Sequence, residues 1–201
     1  QAGKGILKVK NIHQLADHVF GKHPYNGLPL IVQEHVPGLD AGLSILALGG
    51  KVVARLAQQY EPDGSLSFFV DDEINAIAEQ VVELSNYSGV AHFDYRRLPD
   101  GALGGVLECN PRFWYSMPAA MTHGINFAEN GINFAMSGDV PTECQTDFHD
   151  GNYYPARSAF RHFGSVRIGR DNIIELLREL RDILPFIYTV AAKVAGRRCD
   201  R

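Results

Sequence analysis

The stretch Gly89–Arg112, GVAHFDYRRLPDGALGGVLECNPR, constrains the fold of this chain more than any other. It reads as two short apolar strands joined at Pro99-Asp100-Gly101, because Asp and Gly supply the backbone angles of a tight reversal. The first strand carries Asp94, and the second runs from Gly105 through Val106 and Leu107 into Glu108, Cys109, Asn110, Pro111 and Arg112. Glu108 and Asn110 are two apart, so both point to one face of the strand. A hairpin of this length brings Asp94 beside them.

Two readings fit that pattern. One is a solvated hairpin face. The other is a magnesium–phosphate site, in which carboxylates and an amide oxygen suit a hard cation and a guanidinium holds phosphate oxygens. Apolar flanks (Val90, Ala91 and Phe93 before, Phe113 and Trp114 after) point to strands leading out of a core. Pro111 restricts Asn110 to an extended backbone, which holds the Glu and Asn in place.

Around this hairpin the sequence predicts alternating sheet and helix. Gly3-Lys4-Gly5 reads either as the end of a phosphate-covering loop or as a frayed chain start; it is not a Walker A sequence. Asn11 is expected to cap a short helix with Ile12, Leu15, Ala16 and Val19 on one face. A strand is expected from Leu28 to about Val36, closed by Pro37-Gly38. Ala41–Leu48 and Lys51–Ala57 are expected as a hairpin around Gly49-Gly50. Arg55, in an otherwise apolar strand, either snorkels to water at a sheet edge or faces an anion.

Tyr60–Phe69 is expected to be irregular, with a turn at Pro62-Asp63-Gly64. Asp71 or Asp72 then caps a helix of about fifteen residues whose apolar positions are Ile74, Ile77, Val81 and Leu84. Phe113–His123 shows no clean period and reads as a loop. Asn126 to Met136 reads as a helix with Phe127, Ile132 and Met136 apolar, stopped by Ser137-Gly138. Tyr153–Ile168 is expected to be extended, its Arg157, Arg161, His162 and Arg167 facing water or an acidic substrate. A last amphipathic helix begins at Asn172, with Ile173, Leu176, Leu177, Leu180 and Leu184 on one side and Pro185 interrupting it.

Composition narrows the function classes. A formal net charge of −4 gives no basic footprint, so nucleic acid is not the expected partner. The three cysteines, Cys109, Cys144 and Cys199, form neither a zinc spacing nor a disulfide framework, which favours a reducing, cytoplasmic setting. No run approaches the roughly 18 apolar residues of a membrane span. The histidines include no H-E-x-x-H, and G-x-S-x-G is absent. Because the chain opens inside a glycine-rich turn without a methionine, it is expected to be part of a longer protein.

Taken together, Gln33-Glu34-His35-Val36-Pro37-Gly38-Leu39-Asp40, the Gly49-Gly50 hairpin and FDYRRLPDGALGGVLECNPR resemble the ATP-grasp superfamily, in particular the ATP-binding domains of carbamoyl-phosphate synthase large subunits. The similarity spans roughly residues 3–140, and Gly124-Ile125-Asn126-Phe127 and Ser137-Gly138-Asp139-Val140-Pro141 extend it. The resemblance implies an α+β fold with two lobes of mixed or antiparallel sheet enclosing ATP. It divides the chain into a partial small lobe, residues 1–57, a large lobe, 58–150, and an extension of that lobe, 151–201.

By the same resemblance, Gln33 faces the adenine amino group, backbone groups of Glu34 and Val36 form the hinge contacts, and Asp40 takes the ribose hydroxyls. Asp94, Glu108 and Asn110 hold magnesium, with manganese as an alternative, and Arg112 stabilises the transferred phosphoryl group. Arg55 reaches a phosphate, and Gly3 and Gly5 trail the loop over the phosphates. The implied activity is an ATP-dependent ligase that activates a carboxylate as an acyl phosphate for attack by an amine or similar nucleophile. The implied partners are therefore small molecules, and a homodimer is compatible with the family. The alternative is a catalytically degenerate nucleotide-binding or regulatory module. Asp94 departs from branches that carry Glu or Gln there, and the family's lysine on the strand before the glycine loop is missing.

Overall fold

The computed structural model describes residues 7–21, 29–139, 143–149, 151–155, 159 and 169–181. The chain divides into two compact units, Gln1–Pro37 and Gly38–Arg201. In the first, α1 (Ile12–Phe20) starts as expected: the Asn11 side chain accepts a hydrogen bond from the Gln14 backbone N–H at 2.9 Å. The strand expected from Leu28 to Val36 does not form, because residues 29–37 are irregular. Apolar, branched residues favour a strand only where a neighbour completes the ladder. Here Ile31 and Val32 are exposed and the segment joins no sheet among the described residues.

The second unit is α+β. Its core is one five-stranded sheet of order β3-β2-β1-β4-β5, built from β1 (Leu39–Leu48), β2 (Lys51–Tyr60), β3 (Leu66–Phe69), β4 (Gly89–Arg97) and β5 (Leu103–Asn110). Each of the four pairings is antiparallel. Gly49 and Gly50, both with positive φ (54° and 80°), make the two-residue turn between β1 and β2. At the β4–β5 corner, Gly101 has φ 92° and the Asp100 carboxylate accepts the Ala102 N–H at 3.1 Å. β2 runs to Tyr60, and β3 follows the Pro62-Asp63-Gly64 turn where an irregular stretch was expected. β3 is only four residues long, too short to show a clear period; it pairs with β2 as a hairpin across that turn and is bridged from distant chain by Tyr153.

The helices cover both faces of the sheet. On one lies α2 (Asp72–Ser85), whose Ile74, Ala78 and Val82 pack with Leu43, Ile45, Phe93 and Tyr95. Burying each of the larger side chains contributes about 1.5–3 kcal/mol. The expected apolar stripe was rotated: Val81 and Leu84 are exposed, and Ala78 and Val82 face the sheet instead. Small Ala78 lets the helix approach closely, so the stripe of largest residues was the wrong guide. Asp71 caps α2, accepting the Ile74 N–H at 3.3 Å, and its other oxygen accepts the Tyr95 hydroxyl at 2.8 Å. That pair ties the start of α2 to β4.

On the opposite face, α3 (Met117–Thr122) and α4 (Phe127–Ser137) enclose Leu46, Ala54, Leu56, Trp114, Ala120, Ile125 and Phe127. α3 replaces part of the loop expected over Phe113–His123. α4 is capped by Asn126 and ends at Gly138 with φ 73°, close to the expected bounds, although Ile132 and Met136 are exposed. α5 (Arg170–Arg181) begins two residues before the expected Asn172. Asn172 is buried there and exchanges two hydrogen bonds with the Tyr154 backbone, at 2.6 and 3.1 Å. Ile173 and Leu177, expected on its apolar side, are exposed. No helix among the described residues is long and apolar enough to cross a membrane. Arg157, Arg161, His162, Arg167, Leu184 and Pro185 lie outside the described residues.

Candidate functional site

Because side chains alternate across a strand, the strand register sorts the residues of the sheet onto its two faces. On the face covered by α3 and α4, three successive rows cross the strands. The first contains Asp40 and Arg96; the second Gln58, Gly42, Asp94 and Glu108; the third Leu56, Ser44, His92 and Asn110. The third row is sealed by Trp114, whereas Asp94 is half-buried and Glu108 exposed. The rows therefore pass from a packed core to an open, polar surface within one sheet face.

The residues expected from the hairpin come together. Asp94 and Glu108 are direct cross-strand partners, and Asn110 follows Glu108 on the same face. The Asn110 amide nitrogen donates to the Asp94 carboxylate at 3.0 Å and to the Glu108 carboxylate at 2.9 Å. Two carboxylates thus converge on one donor group. Arg112, exposed, reaches back to the Asn110 amide oxygen at 3.3 Å and to the Phe113 carbonyl at 3.2 Å. Burial pushes the Asp94 carboxyl up, but the hydrogen bond and charge of His92, with hydrogen bonds to Glu108 and Asn110, outweigh it and leave the group below the usual carboxylate range.

Magnesium takes oxygen ligands, and the donor set fits it. Both carboxylates already accept from the Asn110 amide N–H groups at one point, and a half-turn of that amide presents its oxygen in place of its nitrogen. The set comprises only two acids and an amide; among the described residues no group of three or more His, Cys, Asp or Glu forms a metal cluster.

The remaining expected residues are placed differently. Asp40 lies on the same sheet face and is ion-paired with Arg96, which also donates to the Gly38 carbonyl. Arg55 is not brought to this face. Its partners in register are Ile45 and then Ala91, in the layer against α2, and its guanidinium pairs with Glu79 of that helix. The arginine is thereby paired with a carboxylate on the far side of the sheet from Asp94. Gln33, Glu34 and Val36 belong to the first unit, the first two exposed and Val36 half-buried, and Gly3 and Gly5 lie outside the described residues.

Two neighbours of the acids were not anticipated. His92 is buried beneath Asp94, its Nε2 at 3.4 Å from an Asp94 oxygen and its Nδ1 at 3.1 Å from the Ser44 hydroxyl. Tyr60, at the end of β2, has its phenol pushed up by burial first and then by Tyr115 and Asp94. The signal for His92 was its spacing: it stands two residues before Asp94 and hence on the same face.

Comparisons with protein families and with curated proteins each gave no match. Solved structures do match. The L-amino acid ligase from Bacillus licheniformis is 18% identical with a TM-score of 0.36, over 51% of this chain and 30% of that one. The Campylobacter jejuni biotin carboxylase, in a complex with β,γ-ATP, is 13% identical with a TM-score of 0.42, over 60% and 30%. The biotin carboxylase domain of Hydrogenobacter thermophilus 2-oxoglutarate carboxylase, solved with MgADP, ADP and bicarbonate, is 17% identical with a TM-score of 0.38, over 56% and 28%. This chain spans less than a third of the length of each. At this level of similarity, the functional argument rests on the geometry of the site.

Proposed function

We propose that this chain carries the metal- and phosphate-binding part of an ATP-grasp ligase, which activates a carboxylate as an acyl phosphate. The observation that supports this reading is the convergence of Asp94 and Glu108, from facing strands, on the single amide of Asn110, with Arg112 beside it. A solvated hairpin face has no physical reason to set two carboxylates opposite each other, because like charges in cross-strand register destabilise a sheet.

Each residue then has a definite task. Asp94 and Glu108 provide anionic oxygens for magnesium, or manganese in its place, and Asn110 turns its amide oxygen towards the same point. Magnesium, when bound, neutralises charge on the β- and γ-phosphates of ATP. Arg112 exchanges its contact with Asn110 for the migrating phosphoryl group, where a fixed cation is worth most. Asp40 binds the ribose hydroxyls at a position one row from the acids, and doing so requires release from Arg96. In this reading the roles of Gln33, Glu34 and Val36 at the adenine and of Gly3 and Gly5 at the phosphates stay those the resemblance implies, with residues 1–57 as the small lobe, 58–150 as the large lobe and 151–201 as its extension.

In the overall reaction a substrate carboxylate oxygen attacks the γ-phosphorus as its bond to ADP breaks. An amine or similar nucleophile then attacks the acyl carbon, phosphate leaves with the carbon–oxygen pair, and the nucleophile's proton passes to solvent. The proposal places the protein in the cytoplasm, acting on small molecules. The test is hydroxylamine trapping: this chain is incubated with MgATP, hydroxylamine and a panel of amino, keto and simple carboxylic acids, and hydroxamate and ADP are measured. Stoichiometric hydroxamate and ADP with at least one acid, lost in Arg112→Ala, supports the ligase. MgATP binding without hydroxamate from any acid favours the catalytically degenerate module.

A further inference from the structure

We propose that His92 is a positioning residue for the metal site, and that Gly42 exists to make room for it. The inference rests on the magnesium reading of Asp94 and Glu108 above.

One position in the second row, Gly42, has no side chain. Gly42 lies between Gln58 and Asp94, and a Cβ built there would stand 2.5 Å from the His92 Nε2 and 2.6 Å from its Cε1. The His92 ring therefore occupies the space above the Gly42 Cα. It reaches out of its own row towards the row of the acids. Any larger residue at Gly42 has to expel it.

Three contacts then fix the ring. Ser44, its register partner on β1 and 1% exposed, touches Nδ1 at 3.1 Å. Trp114 stacks on the ring with centroids 5.3 Å apart and planes 20° apart, and Phe127 in turn abuts Trp114 edge-on at 5.2 Å. The third contact is functional: Nε2 lies 3.4 Å from one Asp94 oxygen, while the other Asp94 oxygen accepts the Asn110 amide. The ring places Nδ1 at the Ser44 hydroxyl and Nε2 at Asp94, so an Nε2–H donates to the carboxylate. That arrangement commits one carboxylate oxygen to His92 and leaves the other aimed at the point where Glu108 and Asn110 meet. Partners that orient a ligating carboxylate in this way affect metal affinity by about 10–100-fold.

The test uses water-proton relaxation enhancement by Mn²⁺–ATP on the whole chain, with a thermal melt for every variant. His92→Phe keeps the stacking on Trp114 but removes both nitrogens, and it is expected to weaken Mn²⁺–ATP binding by about tenfold or more. His92→Gln restores an N–H near the Nε2 position and is expected to recover most of that loss. Gly42→Ala, which leaves His92 in the sequence but displaces its ring, is expected to behave like His92→Phe and serves if His92→Phe fails to fold. A folded His92→Phe or Gly42→Ala that binds as tightly as the unaltered chain overturns the proposal, as does a His92→Gln as weak as His92→Phe. If the unaltered chain gives no enhancement, or Glu108→Ala gives the same enhancement, the metal reading itself falls and this inference with it.

Discussion

Removal of the Asp71 carboxylate should uncouple α2 from the strand that carries Asp94. Asp71 is buried, caps α2 through the Ile74 N–H and accepts the Tyr95 hydroxyl at 2.8 Å, while Tyr95 is fully buried. Burial, then the hydrogen bond to Asp71 and its charge, pushes the Tyr95 phenol up, so the hydroxyl keeps its proton and depends on this acceptor. In Asp71→Ala, loss of the cap costs about 1 kcal/mol. Leaving the Tyr95 hydroxyl without a partner costs a further 1–3 kcal/mol or so. The expected total is about 2–4 kcal/mol.

In a Tyr95→Phe background only the cap remains to be lost, so the same substitution should cost only about 1 kcal/mol. Asp71→Asn retains a capping oxygen and should cost less than Asp71→Ala. Urea unfolding followed by the fluorescence of Trp114, the only tryptophan and a buried one, reads all five proteins. An Asp71→Ala penalty that is the same with Tyr95 or Phe at position 95 would refute the coupling.

Two further predictions concern titrating groups. The Asp94 carboxyl is held below the usual carboxylate range, so its ionised form stabilises the fold above the ordinary Asp value, and that contribution is lost as pH falls through the depressed folded value. The difference in melting temperature between the unaltered chain and Asp94→Asn should therefore be present at pH 7 and shrink below about pH 4; a difference unchanged down to pH 2 would contradict the assignment. Burial pushes the Cys144 thiol up, an effect that Arg55 and Lys51 oppose without reversing. Iodoacetamide labelling of Cys144, followed by peptide mass spectrometry, should be slower at pH 7.5 than that of an unstructured cysteine peptide and should accelerate into the alkaline range.

The sequence disclosed the 89–112 hairpin better than its surroundings. The 89–112 hairpin was legible because its turn residues, its alternation and the Pro after Asn110 all act locally, and the same holds for the Gly49-Gly50 turn and the Asn11 and Asp71 caps. What failed depends on distant partners. Residues 29–37 have strand composition but join no sheet among the described residues, and β3, four residues without a clear pattern, is bridged by the distant Tyr153. The face of α2 turned on Ala78, whose small size suits close packing against the sheet but gives a weak hydrophobic signal. Arg55 was ambiguous for the same reason. Its parity relative to Asp94 depends on the β1 register, which brings it to Glu79 rather than to the acids. His92 was visible as a histidine two residues before Asp94 in an apolar strand; its contacts depend on the space at Gly42, which belongs to another strand.

The central claim is that Asp94, Glu108 and Asn110 hold a nucleotide-bound metal. Titration calorimetry of the chain with ATP, in the presence and absence of Mg²⁺, tests it most directly when repeated on Glu108→Ala. The account predicts binding that requires Mg²⁺ and falls by at least tenfold in Glu108→Ala while the melting transition is retained. ATP affinity that is independent of Mg²⁺, or a Glu108→Ala variant that binds MgATP as tightly as the unaltered chain, would contradict it.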